Sequence, residues 1–176
     1  MKIYHFRVLL DTSQDIFRDI EIAGDAPFSA LHAMIVKAFS FSGNEMASFY
    51  MSNEMWDKGE EIAMIDLMDD TDQLPLRSMD TTKLDELLGN DGDKMLYVYD
   101  FLRMWIFFVE LVSIKEADPE VTYPTVVLLV GIAPAEDSRE NAGPMVVEFA
   151  DDDMYNDEED IDEDEHDMPD DMGEYR

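Results

Sequence analysis

The sequence predicts an α+β fold, a β-grasp-like mixed sheet with a helix packed across it, followed by a disordered acidic C-terminal tail. Three observations predict it. Several segments alternate apolar and polar residues with a period of two, which is typical of half-buried strands. One segment repeats apolar residues at spacings of three and four, which indicates an amphipathic helix. The end of the 176-residue chain is almost entirely acidic, so we expect one domain over residues 1–150 and a tail over 151–176.

The first two predicted strands form a hairpin. Residues 3–10 alternate, with His5 and Arg7 on the outer face. The side chains expected on the buried face are Tyr4, Phe6, Val8 and Leu10. Residues 11–15 have the polar composition of a turn, and residues 16–22 resume the alternation. A strand, a short turn and a second strand predict an antiparallel pair.

The predicted helix follows this hairpin. Asp25 is the expected N-cap, and Pro27 is expected in the first turn. The expected buried stripe consists of Phe28, Leu31, Met34, Ile35 and Ala38. His32 lies near the edge of this stripe, where a packed histidine is a more common role than a ligand. The stripe predicts that the helix lies across one face of the sheet.

The remaining elements complete the sheet. Further strands are expected near residues 47–52, 62–67, 94–100, 104–115 and 126–130. Residues 53–73 form a long acidic excursion, and Thr81 or Thr82 is the expected cap of a short helix that ends at Leu88. The strand at 126–130 is apolar and β-branched, so we expect it to fill an edge or a cleft of the sheet.

Charge restricts the class of function. The chain has 43 Asp and Glu against 12 Lys and Arg, for a net charge of −31 at pH 7. Residues 148–176 contribute about half of this excess, and the body contributes the rest. Such a surface repels phosphates, which argues against direct nucleic-acid binding and against an anionic membrane. Basic proteins, polyamines and divalent cations are the species it attracts. The tail has too few apolar residues to fold, and we expect it to be disordered.

No catalytic, cofactor-binding or metal-binding residue is predicted. The chain has no cysteine, which rules out disulfides and thiol nucleophiles. Its glycines form no phosphate-binding loop, and its three histidines, His5, His32 and His166, fall in different segments. The N-terminus does not resemble a signal peptide, and the longest apolar run is far shorter than the ~20 residues of a membrane span. We therefore expect a cytoplasmic protein without cofactors.

Aromatic residues are concentrated in the second predicted hairpin. The candidate interface residues are Tyr97, Tyr99, Phe101 and Trp105. In strands of period two, half of such a cluster faces the core, and the other half forms an exposed patch unless a helix covers it. Core packing and a binding surface therefore both remain open for these residues.

The sequence resembles the Ri-plasmid ORF-three-like family over roughly residues 1–140. The matching segments are residues 15–22, Leu31-His32, Phe49, residues 96–101, Trp105, Tyr123-Pro124 and residues 134–137. The resemblance implies the α+β fold and no established activity. The chain departs from the family pattern at Leu102-Arg103, where members carry Gly-Asp, and at Phe41, where they carry Trp. Glu45 and Ala47 replace histidines, so a polar site built from those positions is degraded here.

These features favour a non-enzymatic binding module that recognises a protein partner, with basic proteins as the class that the charge favours. One alternative is a DNA mimic that inhibits a nucleic-acid-binding protein, because carboxylates can imitate phosphates. A second alternative is a small metal-assisted hydrolase. A mimic needs acids spaced along a rigid face, whereas this chain concentrates them in its tail. The sequence leaves the oligomeric state open.

Overall fold

The computed structural model describes residues 1–64 and 77–140. Its elements are β1 (Lys2–Leu10), β2 (Phe17–Ala23), α1 (Phe28–Ala38), β3 (Ala47–Ser52), β4 (Lys58–Ala63), β5 (Arg77–Ser78), α2 (Leu84–Leu87), β6 (Lys94–Tyr99), β7 (Trp105–Glu116) and β8 (Thr125–Val130). The tail predicted at 151–176 lies outside the described residues, as does part of the acidic excursion at 53–73. In the parts of the chain that are described, no helix is long and apolar enough to cross a membrane.

The strands form one mixed sheet in the order β5-β4-β3-β6-β7-β1-β2-β8. Neighbouring strands are antiparallel, except that β4 and β5 are parallel. In the first hairpin, Phe6 of β1 pairs with Ile20 of β2, so the alternating apolar residues of both strands face the same side. The α+β class and the mixed sheet are therefore confirmed, and the two predicted hairpins are present.

Helix α1 packs across one face of the sheet, which we call the core face. Phe28 contacts Phe49 of β3 edge to face, with ring centroids 5.3 Å apart. The buried residues of the helix are Phe28, Leu31, Met34 and Ile35, as its apolar stripe predicts, whereas Ala38 of the same stripe is half-buried. Each buried side chain of this kind stabilises the fold by roughly 1.5–3 kcal/mol.

The predicted cap of α1 is wrong. The helix begins at Phe28, Pro27 occupies the N-cap position, and no side chain caps the helix. The first amides are satisfied by main-chain carbonyls instead: Phe28 donates to Thr82 and Ser29 donates to Met79, each at 3.0 Å. The chain before α2 therefore supplies the acceptors that an Asp25 side chain would otherwise provide.

The short elements also differ from the prediction. Helix α2 begins after Lys83 rather than after Thr81 or Thr82, because Thr82 is buried and its carbonyl serves α1. The Glu86 carboxylate instead accepts from the Lys83 amide at 3.1 Å. Strand β4 covers residues 58–63 and so begins before the expected 62–67, of which residues 65–67 lie outside the described part of the chain. Short polar segments depend on tertiary partners, and local patterns locate them poorly.

Strand β8 forms one edge of the sheet, as expected. It pairs with β2, and Val130 lies opposite Phe17. Arg18 of β2 is buried and fixes the end of this edge, because its Nη1 donates to the Val130 carbonyl at 2.7 Å and its Nε donates to the Ala38 carbonyl at 3.0 Å. One guanidinium thus joins the last turn of α1 to the edge of the sheet.

The face of the sheet opposite α1 has a cluster of paired charges. Arg7 donates to both carboxylate oxygens of Asp19 at 2.8 Å, and Lys115 donates to Glu21 at 2.6 Å. Burial acts to raise the pKa of Asp19 and Glu21, but hydrogen bonds from these cations and from His5 outweigh it and lower both pKa values. Both carboxylates are therefore ionised, and their charges are compensated by cations within the fold.

Candidate functional site at the end of the second hairpin

Residues far apart in the sequence meet where β6 and β7 are joined. The Tyr99 hydroxyl donates to Oε1 of Glu136 at 2.7 Å, and the Trp105 indole Nε1 donates to the Glu136 carbonyl at 3.1 Å. The Gly43 amide donates to the Tyr99 hydroxyl at 3.0 Å. The segment after α1 and the segment after β8 are thereby attached to the same end of the hairpin.

The carboxylate of Glu136 is the centre of this network. Besides Tyr99, it accepts from the Ser42 amide at 2.5 Å and from the Ser42 hydroxyl at 3.0 Å. Burial acts to raise the pKa of Glu136, but the hydrogen bonds from Tyr99 and Ser42 outweigh it and lower the pKa. The pKa of Tyr99 is raised, mainly by burial and also by its bond to Glu136. Glu136 is therefore an ionised, fully engaged carboxylate that holds the site together.

The turn between β6 and β7 has a strained backbone. Asp100 and Met104 are both left-handed, with φ of 57° and 54°. This conformation costs a non-glycine residue roughly 1–2 kcal/mol. The buried Asp100 carboxylate stabilises the turn, since its Oδ1 accepts from the amides of Leu102 at 3.0 Å and Arg103 at 3.1 Å. Its Oδ2 accepts from the Arg103 guanidinium at 3.1 Å.

The same bonds control the ionisation of Asp100. Burial acts to raise its pKa, and the hydrogen bonds from the Arg103 amide, the Arg103 guanidinium and the Leu102 amide lower it below its ordinary value. The turn is thus maintained by a carboxylate that stays charged at neutral pH. Backbone strain that is stabilised in this way occurs most often at functional sites.

This turn presents apolar side chains to solvent. Phe101 is 41% exposed and Leu102 is 66% exposed. The exposed Met46 is joined to the start of the turn, because the Asp100 amide donates to its carbonyl at 2.9 Å. We call Met46, Phe101 and Leu102 the apolar tip. Large apolar residues gathered at a fixed surface position are typical of an interface.

The structure separates the four candidate interface residues into two groups. Tyr97, Tyr99 and Trp105 are buried, whereas Phe101 lies at the surface. The three buried residues face the side of the sheet covered by α1 and by the segment after it; Phe41, for example, packs against Trp105 with ring centroids 5.3 Å apart. Their burial means that they cannot contact a partner without a change in the fold, and Phe101 alone of the four remains accessible.

His32 has the packed role expected of it. Its Nδ1 lies 2.7 Å from the Tyr97 hydroxyl; Tyr97 is buried and His32 is half-buried. Burial lowers the pKa of His32 and raises the pKa of Tyr97 well above its ordinary value. Both shifts favour the uncharged pair, a neutral imidazole hydrogen-bonded to a protonated tyrosine hydroxyl.

Acidic residues occur on both segments that are attached to this end of the hairpin. Asp137 and Glu140 are exposed on the segment that contains Glu136, and the half-buried Glu45 precedes Met46. The guanidinium of Arg139 lies over the Trp105 ring, 4.9 Å from its centroid, and donates to the Met104 carbonyl. Within residues 1–64 and 77–140, no group of three or more His, Cys, Asp or Glu side chains is arranged to hold a metal ion.

Sequence reasoning missed two parts of this site. Ser42 lies in a polar loop after the helix, and no local pattern indicates that it contacts a residue 94 positions away. The role of Asp100 in the turn could have been found, because an aspartate at the start of a turn commonly accepts from amides two and three residues later. Glu136 was part of the family resemblance, but its partners were not predicted.

The fold and these motifs define a family. The chain belongs to the plasmid pRiA4b ORF-3-like protein family, and a sequence model of that family matches residues 2–173. The match extends past residue 140, where the resemblance described above ended. No curated protein matches the chain.

A solved structure is similar to this one. It is the crystal structure of MM3350, a protein of unknown function from Methanosarcina mazei Go1. The two chains are 26% identical and superpose with a TM-score of 0.66. The similarity covers 79% of this chain and 75% of that chain.

Proposed function

We propose that this chain is a non-enzymatic binding module that recognises a basic protein partner through the apolar tip. The observation that carries the proposal is the exposure of Phe101 and Leu102 on a turn that a buried carboxylate holds in a strained conformation. Burying apolar side chains of this size against a partner yields roughly 25 cal/mol for each Å² removed from water.

The fixed geometry of the tip supports this role. The turn is held by Asp100, and the strand ends next to the turn are held by the contacts of Glu136 with Tyr99 and Trp105. A surface that is ordered before binding loses less conformational entropy when its partner arrives. Apolar anchors at the centre of a polar border are also the usual arrangement of residues that dominate binding energy.

The charge around the tip favours a basic partner. Glu45 precedes Met46, and Asp137 and Glu140 are exposed on the segment whose Glu136 bonds to Tyr99, whereas Arg103 and Arg139 donate to Asp100 and Met104. The chain as a whole carries a net charge of −31. Such a field accelerates the approach of a cationic protein, and its effect weakens as salt is added.

The two alternatives are less well supported by the same contacts. A DNA mimic needs unpaired carboxylates on a rigid face, but Asp19 and Glu21 on the sheet are neutralised by Arg7 and Lys115. A metal-assisted hydrolase needs carboxylates that are free to bind a cation. The two carboxylates at the centre of the site, Glu136 and Asp100, accept hydrogen bonds from the chain itself, and these bonds compete with a cation. Both observations favour the binding module.

Partner capture tests the proposal. The full chain is immobilised and exposed to native lysate at low and at moderate salt, beside the double variant Phe101→Ser, Leu102→Ser. The matched control is Leu129→Ser on β8, which removes a similarly exposed leucine, 63% against 66%, at a different surface. We expect basic proteins to bind to the wild type and the control, to be lost from the double variant, and to bind less at moderate salt. Equal capture by the double variant would contradict the proposal.

Three finer expectations accompany this proposal as predictions. They are a β-grasp-like relationship of the sheet, a cytoplasmic location, and a disordered state of residues 151–176. The β-grasp-like relationship is a statement about the order and direction of the strands, which is finer than the α+β class. The other two have their own tests, localisation of the tagged protein and amide relaxation of the tail.

A further inference from the structure

Residues 131–140 lead from the edge strand β8 to the end of the second hairpin, and we call them the strap. The strap starts beside β2 and reaches the joined ends of β6 and β7, to which Glu136 bonds, so it passes the ends of the intervening strands. Every residue of the strap is exposed or half-buried, and Ile132 is 90% exposed. Ala133 alone of the strap packs against the apolar core. Burial of its own apolar surface therefore contributes little to the position of the strap.

The strap lies against a buried aromatic cluster, Phe41, Tyr99 and Trp105. Phe41 packs against both of the other rings, with centroids 5.4 Å from Tyr99 and 5.3 Å from Trp105. The strap meets Trp105 with two polar groups: the Glu136 carbonyl accepts from the indole Nε1, and the Arg139 guanidinium lies 4.9 Å from the ring centroid. Polar groups of the strap thus cover one side of an apolar cluster.

Glu136 makes most of the bonds that attach the strap. Its carboxylate accepts from the Tyr99 hydroxyl and from the amide and hydroxyl of Ser42, which is exposed. The second attachment is Arg139, which donates to the Met104 carbonyl. Bonds to water can replace each of these bonds, so their net contributions to stability are modest. The attachment depends on one carboxylate more than on any other group of the strap.

The strap begins at a fixed glycine. Gly131 has a φ of 72°, a conformation that glycine adopts without strain, and a Cβ there would lie 2.7 Å from the Asp15 carbonyl oxygen. The preceding residue is also held, because Arg18 donates to the Val130 carbonyl at 2.7 Å. A movement of the strap would therefore end at Gly131 and leave β8 in place.

We infer that the strap is a cover that opens about Gly131 while the sheet stays folded, and that Glu136 is the latch that keeps it closed. Segments with few buried apolar contacts open at a lower free energy than the whole domain unfolds. The closed state predominates in the free chain, because opening exposes Tyr99 and Trp105 to water. The bonds of Asp100 that hold the turn do not involve the strap, so the apolar tip keeps its shape when the strap opens.

Opening has a consequence for recognition, and this consequence rests on the function proposed for the tip. Tyr99 and Trp105 flank the turn that carries Phe101, so their uncovered rings extend the apolar surface of the tip. The opened site also presents the indole N–H that the Glu136 carbonyl accepts from in the closed state. A partner segment that fits there offers apolar side chains and a backbone carbonyl. The opening itself is a property of the chain alone and can be measured without a partner.

Hydrogen exchange of the unmodified chain in low concentrations of urea tests the opening. The indole N–H of Trp105 is protected by its bond to the strap, whereas the amide of Tyr97 lies in a strand paired on both sides. We expect exchange of the indole N–H to be nearly independent of urea, because local opening exposes little surface, and exchange of the Tyr97 amide to rise steeply. An indole N–H with the same steep dependence would mean that the strap opens only when the domain unfolds, and it would overturn the inference.

Acrylamide quenching of tryptophan fluorescence tests the latch. The chain has two tryptophans, so the variants are made in a Trp56→Phe background in which Trp105 is the reporter. Glu136→Ala should raise the quenching constant at least about threefold, while unfolding in urea stays cooperative. Asp137→Ala is the matched control, because it removes an exposed carboxylate from the next position of the strap, and it should leave quenching unchanged. Unchanged quenching in Glu136→Ala, an equal increase in both variants, or loss of the cooperative transition would overturn the assignment of a local latch.

Discussion

The second hairpin has two regions with opposite environments. Its strands place Tyr97, Tyr99 and Trp105 in the core, whereas the turn between the strands places Phe101 and Leu102 in solvent. All five residues are large and apolar or aromatic, so their chemistry does not distinguish them. What distinguishes them is backbone geometry, because alternation along a strand fixes which face is buried and the left-handed Asp100 interrupts that alternation. Neighbouring residues of one hairpin can therefore belong to the core and to the exposed surface.

The largest expected effect is in the buried part of the hairpin, at Trp105. Trp105→Ala should lower the free energy of unfolding by about 3–5 kcal/mol, because it removes a buried ring packed against Phe41 and covered by Arg139. Chemical denaturation measures this change. Wild-type stability for this variant would mean that the core assignment of Trp105 is incorrect.

The turn should have the next largest effect. Asp100→Ala should cost about 2–3 kcal/mol, since it leaves the amides of Leu102 and Arg103 without an acceptor and retains the left-handed backbone. Asp100→Asn keeps a neutral acceptor and a residue that tolerates this conformation, so it should lose less. Denaturation curves of the two variants, compared with the wild type, measure both changes. If the two variants unfold alike, the side-chain acceptor does not hold the turn.

The pair of His32 and Tyr97 predicts a dependence on pH. Burial lowers the pKa of His32 in the folded chain, whereas the unfolded chain has the ordinary value near 6.5. Below that value the unfolded state binds more protons, so stability is full above about pH 6.5 and falls as the pH drops towards the folded pKa. The slope from this group is at most about 1.4 kcal/mol per pH unit. His32→Gln should remove that part of the slope in urea titrations between about pH 7 and 5, and an unchanged slope would contradict the assignment.

The smallest effect on stability is expected at the apolar tip. The double variant Phe101→Ser, Leu102→Ser should unfold within about 0.5 kcal/mol of the wild type, because both side chains are exposed. Urea denaturation of the purified variant checks this. A loss as large as that of Trp105→Ala would show that the tip is part of the core, and the comparison between the two regions would fail.

Local patterns predicted much of this fold. The period-two alternation of β1, the apolar stripe of α1 and the apolar run of β8 are properties of consecutive residues, and each was located correctly. The N-cap of α1 was not, because its acceptors come from Met79 and Thr82. The site was the least predictable part: Tyr99 and Glu136 are 37 residues apart, and their contact depends on the path of the chain after β8.

Hydroxyl-radical footprinting of the unmodified chain tests the central claim most directly. The chain is labelled free and in complex with a captured partner, and the modification of individual side chains is compared by mass spectrometry. We expect Met46, Phe101 and Leu102 to be reactive in the free chain and protected in the complex, while Trp105 is protected in both. Unchanged labelling of the tip in the complex, with new protection elsewhere, would contradict the account.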